Sequence, residues 1–180
     1  MKTDGKTTHG LVLVHTGEGK GKTTAAFGMV LRTLAHGQHV AVVQFVKSDA
    51  DPAERRALVH WREQLAYHVC GDGFSWKKTD GPSHAELARA GWEIALRHLA
   101  DPAVQLVVLD EINIALSLGF LAVADVLAGL ALRPPCTHVV LTGRDAPPEL
   151  LERADLVTEM RAVKHPYRTQ RIPAQPGLEF

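Results

Sequence analysis

The stretch GLVLVHTGEGKGKTT, residues 10 to 24, limits the possible folds of this chain more than any other segment. A continuous, β-branched apolar run that ends in glycines has the pattern of a parallel strand covered on both faces. Parallel strands need a long crossover, so a helix must follow. Over residues 22 to 36, Phe27, Val30, Leu31 and Leu34 recur at i, i+3, i+4 and i+7, and Gly37 supplies the stop.

The rest of the chain repeats this alternation. HVAVVQFV (39 to 46) reads as a second buried strand. Asp51 and Glu54 around Pro52 open a helix that turns Leu58, Trp61 and Leu65 inward, and a short strand, AYHVC, follows. The loop GDGFSWKKTDGP (71 to 82) is long enough to be functional. Ser83 and Glu86 then form a capping box ahead of a stripe of Trp92, Ala95, Leu96 and Leu99. VQLVVLDE (104 to 111) is a buried strand closed by two carboxylates, and a helical stretch over 113 to 132 breaks near Gly119. THVVLTGR, PPELLERA and DLVTEMRAV read as strand, helix and strand. KHPYRTQRIPAQPGLEF, with three prolines, reads as extended. The expected fold is a single α/β domain over residues 10 to 180, after a short tail over 1 to 9. Its sheet is mostly parallel with helices on both faces, and ligands bind beyond the carboxyl ends of the strands.

Composition narrows the function. A chain of 180 residues can bury roughly 70% of its unfolded surface, enough for one real core. Lys plus Arg and Asp plus Glu are both 20, so no basic excess exists to neutralise a run of phosphates, and nucleic acid is not an expected partner. Cys70 and Cys136 stand apart and read as small buried hydrophobes. The apolar runs are too short to span a bilayer, and without a signal sequence the expected location is the reducing cytoplasm. The ten histidines are scattered. The nearest pair, His36 and His39, has no Cys or carboxylate at ligand spacing, so no metal site is read there.

The loop itself points to a triphosphate. Gly17, Gly19 and Gly21 allow the backbone to turn and its N–H groups to approach an anion at a helix N-terminus. Lys22 adds a full charge, of order 4 kcal/mol at about 4 Å and an effective dielectric of about 20 before desolvation. Thr23 offers a hydroxyl to Mg²⁺, and Asp110, ending a buried strand beside the loop, is placed to organise the same ion. The nucleotide-contacting set is thus Thr16, Gly17, Glu18, Gly19, Lys20, Gly21, Lys22, Thr23 and Thr24, with Thr16 standing where G-x-x-x-x-G-K-[ST] has its first glycine. Glu111 is able to orient water or to cap the next helix. Arg32 and Arg144 are able to meet developing phosphate charge or to serve as surface ion-pair residues. Spacing alone leaves open an ATPase, a small-molecule kinase and a nucleotide-gated binding module.

TGEGKGKTTAAFG, VVQFVK, GDGFSW, LVVLDEIN, VVLTGR, ADLVTEM and the terminal KHPYRTQRIPAQPGLEF, in this order, resemble the P-loop type of ATP:corrinoid adenosyltransferase over nearly the whole chain from Gly10. The resemblance implies a P-loop NTPase-like, RecA-like fold, a homodimer, and transfer of the 5′-deoxyadenosyl group of ATP to the cobalt of a reduced corrinoid with release of intact triphosphate. It implies Mg²⁺ or Mn²⁺ as the metal, at Thr23, Asp110 and Glu111, with Glu111 contacting the ribose or the metal's water shell, and a flavoprotein reductase as electron donor. It assigns catalysis to Lys22, Phe74, Trp76 and Glu111; beside it, Arg32 and Arg144 stay candidates for contact with the nucleotide or surface ion-pair residues. Two aromatics flanking Ser75 would on composition alone be a packing pair. The resemblance instead has Phe74 and Trp76 close over the lower face of the corrin and displace its axial ligand. It also implies a nucleotide reversed relative to ordinary P-loop enzymes, which Thr16 would accommodate, and it leaves His165 structural or lining the corrin pocket. Two departures stand out: the family's longer basic N-terminal cap has only MKTDGKTTH in its place, and VKSDADPAERR lacks the usual glycine after the lysine.

Overall fold

The computed structural model describes residues 9–46, 53–71 and 83–179. Among the described residues, six strands form one sheet: β1 (Val12–Thr16), β2 (His39–Gln44), β3 (Leu65–Val69), β4 (Val104–Asp110), β5 (His138–Thr142) and β6 (Leu156–Glu159). Their order across the sheet is β3-β2-β4-β5-β1-β6, and every pairing is parallel. The expected mostly parallel sheet is therefore wholly parallel among the described residues, in a P-loop NTPase-like α/β fold. β5 sits between β1 and β4 in the sheet, yet Asp110 at the end of β4 still reaches the loop, as expected, through Thr23.

Alternation along the strands divides the core in two. Val12, Val14, Val107 and Leu109 face one layer, where they meet Ala88, Trp92, Ala95 and Leu99 of α3 (His84–Ala100) and Leu130 of α5 (Val123–Ala131). Leu13, Val40, Val42, Leu106 and Val108 face the other, against Ala26, Phe27, Val30 and Leu34 of α1 (Lys22–Ala35). No helix among the described residues is long and apolar enough to cross a membrane.

Local signals mostly hold. Ser83 and Glu86 make the expected reciprocal capping box, Gly37 ends α1 at φ +71°, and Gly119, at φ +70°, separates α4 (Ile112–Ser117) from α5. Four expectations fail for identifiable reasons. Leu31, expected inward, is 49% exposed because the core-facing arc of α1 is filled by Phe27, Val30 and Leu34. The helix expected from residue 51 is only α2 (Ala53–Ala57) followed by a single 3₁₀ turn, Val59–Trp61; its Asp51 and Pro52 lie outside the described residues. Cys136 is exposed in the turn entering β5, while Cys70 is half-buried and burial raises its thiol pKa. In the terminal segment, α7 (Pro166–Gln170) forms because Pro166 occupies the first helical position, where it needs no N–H partner, and His165 caps it, its Nδ1 accepting from the Tyr167 N–H at 3.2 Å.

Candidate active site

The register of the sheet creates the centre of the site. Gln44 is paired with Asp110, and Leu109 with Leu141, so Asp110 and Thr142 lie side by side at the carboxyl ends of β4 and β5. These positions extend the rows Val40–Val42, Leu106–Val108 and Val140 on the α1 face, so three apolar strands each end in a polar residue on one side of the sheet. All three polar side chains are fully buried. The first turn of α1 comes down onto them and adds Thr23.

One carboxylate gathers these groups. Asp110 Oδ1 accepts from the hydroxyls of Thr23 at 2.8 Å and Thr142 at 2.7 Å, and Oδ2 accepts from the Gln44 amide at 2.8 Å. The Thr142 oxygen in turn accepts from the Glu111 N–H at 2.9 Å. That bond helps hold Glu111 in the left-handed region, φ +62°, a conformation that costs a non-glycine residue of order 1–3 kcal/mol. A hard divalent cation fits this chemistry: a buried carboxylate and a threonine hydroxyl supply oxygen donors, and substrate phosphates and water complete such a shell. Among the described residues there is no cluster of three or more His, Cys, Asp or Glu that would form an all-protein cage.

The phosphate loop is shaped by close approach. Thr16 is still in the strand, paired with Glu159 of β6, and its hydroxyl accepts from the Ala146 N–H at 3.3 Å. The left-handed turn falls one residue later, on Gly17 at φ +89°, which explains why position 16 does not need glycine. A Cβ on Gly17 or on Gly19 would come within 2.6 Å of the Met160 carbonyl oxygen. Lys22 is buried, and its ammonium donates to the carbonyls of Gly17 at 2.6 Å and Gly19 at 2.7 Å. Burial lowers the Lys22 pKa; Arg144 and Lys20 push the same way, while Glu111 and Glu18 oppose.

Residues from the far end of the chain close over this loop. Lys20 pairs with Glu179, and Glu18 meets Arg144 at 3.4 Å and Arg168 of α7 at 3.6 Å. Asn113, fully buried, donates to the Gly143 carbonyl at 3.1 Å and so fixes the turn after β5.

The structure thus brings together Thr16, Gly17, Glu18, Gly19, Lys20, Gly21, Lys22, Thr23, Asp110, Glu111 and Arg144. Thr24 is exposed on the first turn of α1. Arg32 is not brought to the loop within the chain: it is exposed in the last turn of α1, ten residues beyond Lys22 and so about 15 Å along the helix. Phe74 and Trp76 lie outside the described residues. Sequence reasoning missed Gln44 and Arg168 and gave Thr142 no role. For Gln44 and Thr142 the signal was present, as a polar residue ending an otherwise apolar strand.

Residues 8–180 match the family model described as ATP:corrinoid adenosyltransferase BtuR/CobO/CobP. The chain is 50% identical over 171 residues to a corrinoid adenosyltransferase of Pseudomonas aeruginosa, covering 95% of this chain and 84% of that protein. It is 46% identical over 181 residues to one of Sinorhizobium sp, covering 99% and 83%. It is 37% identical over 171 residues to the corrinoid adenosyltransferase CobA of Salmonella typhimurium, covering 95% and 86%. With its phosphate loop, its Thr23–Asp110 pair and this likeness along almost its full length, the chain belongs to the ATP:corrinoid adenosyltransferase family.

Proposed function

We propose that this protein transfers the 5′-deoxyadenosyl group of ATP to the Co(I) centre of a corrinoid and releases triphosphate. Family membership carries the reaction, and the Lys22, Thr23 and Asp110 arrangement supports it from the geometry. Cobalt supplies the electron pair that forms the Co–C5′ bond, the C5′–O bond breaks, and its electrons leave with the triphosphate. No general base is needed, so the protein's task is to align cobalt, C5′ and the leaving oxygen and to stabilise the departing charge. In this reading Lys22 and the amides that open α1 counter that charge, while the Gly19 N–H is committed to the Met160 carbonyl, and Arg144, paired with Glu18, stands beside the loop. Mg²⁺ held by Thr23 and Asp110, with Glu111 beside it, supplies Lewis-acid stabilisation of the phosphates when bound. The same reading places Phe74 and Trp76 against the corrin, assembles two chains into a homodimer, takes electrons from a flavoprotein reductase and locates the protein in the cytoplasm.

The deciding experiment is an anaerobic incubation with ATP, Mg²⁺ and chemically reduced corrinoid, followed by absorbance and phosphate analysis. Adenosyl transfer yields a cobalt–carbon bond and triphosphate, whereas a phosphoryl-transfer enzyme yields ADP or orthophosphate. Phe74→Ala and Trp76→Ala are expected to impair turnover starting from Co(II) while leaving ATP affinity within about threefold; equal loss of both would make the aromatics scaffold.

A further inference from the structure

Gln44 has no place in the phosphate loop and no charge, yet it lies fully buried at the carboxyl end of β2, in register with Asp110. Its amide nitrogen donates to Asp110 Oδ2 at 2.8 Å. The opposite amide orientation would set two acceptor oxygens against each other, so the chemistry fixes which end faces the carboxylate. The other end, Oε1, is buried and has no hydrogen-bond partner among the described residues. A buried orphan acceptor is costly and uncommon. It lies on the same amide that holds the proposed metal carboxylate.

We infer that Gln44 is a positioning residue for the divalent ion that accompanies ATP. Its amide nitrogen occupies Oδ2 of Asp110 and so turns Oδ1 toward Thr23. Its amide oxygen receives a hydrogen bond from the water that a magnesium-like ion retains. Both Thr23 and Thr142 already converge on Oδ1, so with Gln44 on Oδ2 the carboxylate has a donor on each oxygen and cannot rotate without losing one. Outer-shell partners of this kind govern metal affinity by roughly 10–100-fold. The inference rests on the metal-assisted reading of the site.

The test separates metal affinity from nucleotide affinity without any corrinoid present. Mn²⁺ is titrated by electron paramagnetic resonance into protein saturated with ATP, and ATP binding in EDTA is measured by calorimetry, for the wild type, Gln44→Met and Gln44→Asn. Gln44→Met keeps the length of the side chain and loses both polar ends. It is expected to weaken Mn²⁺ binding about 10–100-fold while ATP affinity in EDTA stays within about threefold. Gln44→Asn keeps an amide and leaves room for water in place of one methylene, which gives a second and more polar variant to measure, and it is expected to show the same selective loss of at least about threefold. Mn²⁺ affinity equal to wild type in either folded variant overturns the inference, as does an equal loss of both affinities, which a merely structural residue would give. A wild type that binds ATP but no Mn²⁺ overturns the metal reading itself, an outcome distinct from the other two.

Discussion

Replacing Thr142 by valine tests the polar row at the strand ends most directly. Valine matches threonine in shape, so packing against Val140 and the α1 face is retained and only the hydroxyl is lost. That hydroxyl donates to the Asp110 carboxylate at 2.7 Å and accepts from the Glu111 N–H at 2.9 Å, in a position with no solvent access. A hydrogen bond to a charged group contributes about 1.5–3 kcal/mol, and an orphaned buried donor costs about 1–3 kcal/mol. The expected loss is therefore about 2.5–6 kcal/mol, or about 5–24 °C in melting temperature for a chain of this length. Release of the left-handed turn at Glu111 should also lower kcat/KM at least tenfold. Urea unfolding and melting curves read the first effect, and corrinoid adenosylation the second. Thr142→Ser, which keeps the hydroxyl, should recover most of both. A valine variant within about 1 kcal/mol of wild type, or a serine variant no better than valine, would refute the reasoning.

Gly17→Ala should lower ATP affinity at least tenfold and destabilise by about 1–3 kcal/mol, since a Cβ there would clash with the Met160 carbonyl at 2.6 Å on a φ of +89°; calorimetry and melting curves check both. Thr16→Gly removes the acceptor for the Ala146 N–H and should reduce adenosylation severalfold, and an unchanged rate would make that position incidental. Stability should depend on pH through His68 and His98, whose Nε2 atoms lie 3.0 Å apart. Burial lowers both pKa values from the ordinary 6.5, His98 and Arg97 lower that of His68 further along with Arg55, and at His98 Asp101 opposes while Arg97 lowers. The unfolded chain then binds more protons between the folded values and 6.5, so stability is complete above that pH and falls as pH drops through the folded values. Replacing both histidines with glutamine should flatten the slope, as read by unfolding free energy between pH 5 and 8.

Much of the architecture was legible because strand burial and helical spacing are local properties. The run from Gly10 to Thr16 announced β1, and Asp110 was recognisable as a carboxylate at the end of a buried strand. Strand order was not legible, since the insertion of β5 between β1 and β4 depends on which surfaces pack and no spacing encodes it. Gln44 was quoted within VVQFVK and passed over, because its importance comes from register with Asp110, a relation across 66 residues. α7 was missed for the opposite reason: proline was weighed as a breaker, although at the first turn it initiates. Thr16 looked like a defect in a motif until the strand proved to continue through it.

The lock between Lys20 and Glu179 joins positions 159 residues apart. The β1 strand that leads into the loop also has both its sheet neighbours, β5 and β6, downstream of residue 137. The nucleotide cradle therefore takes shape only once its downstream walls are made, since its early-made backbone waits for them. Closing contacts across so long a stretch of chain slows folding.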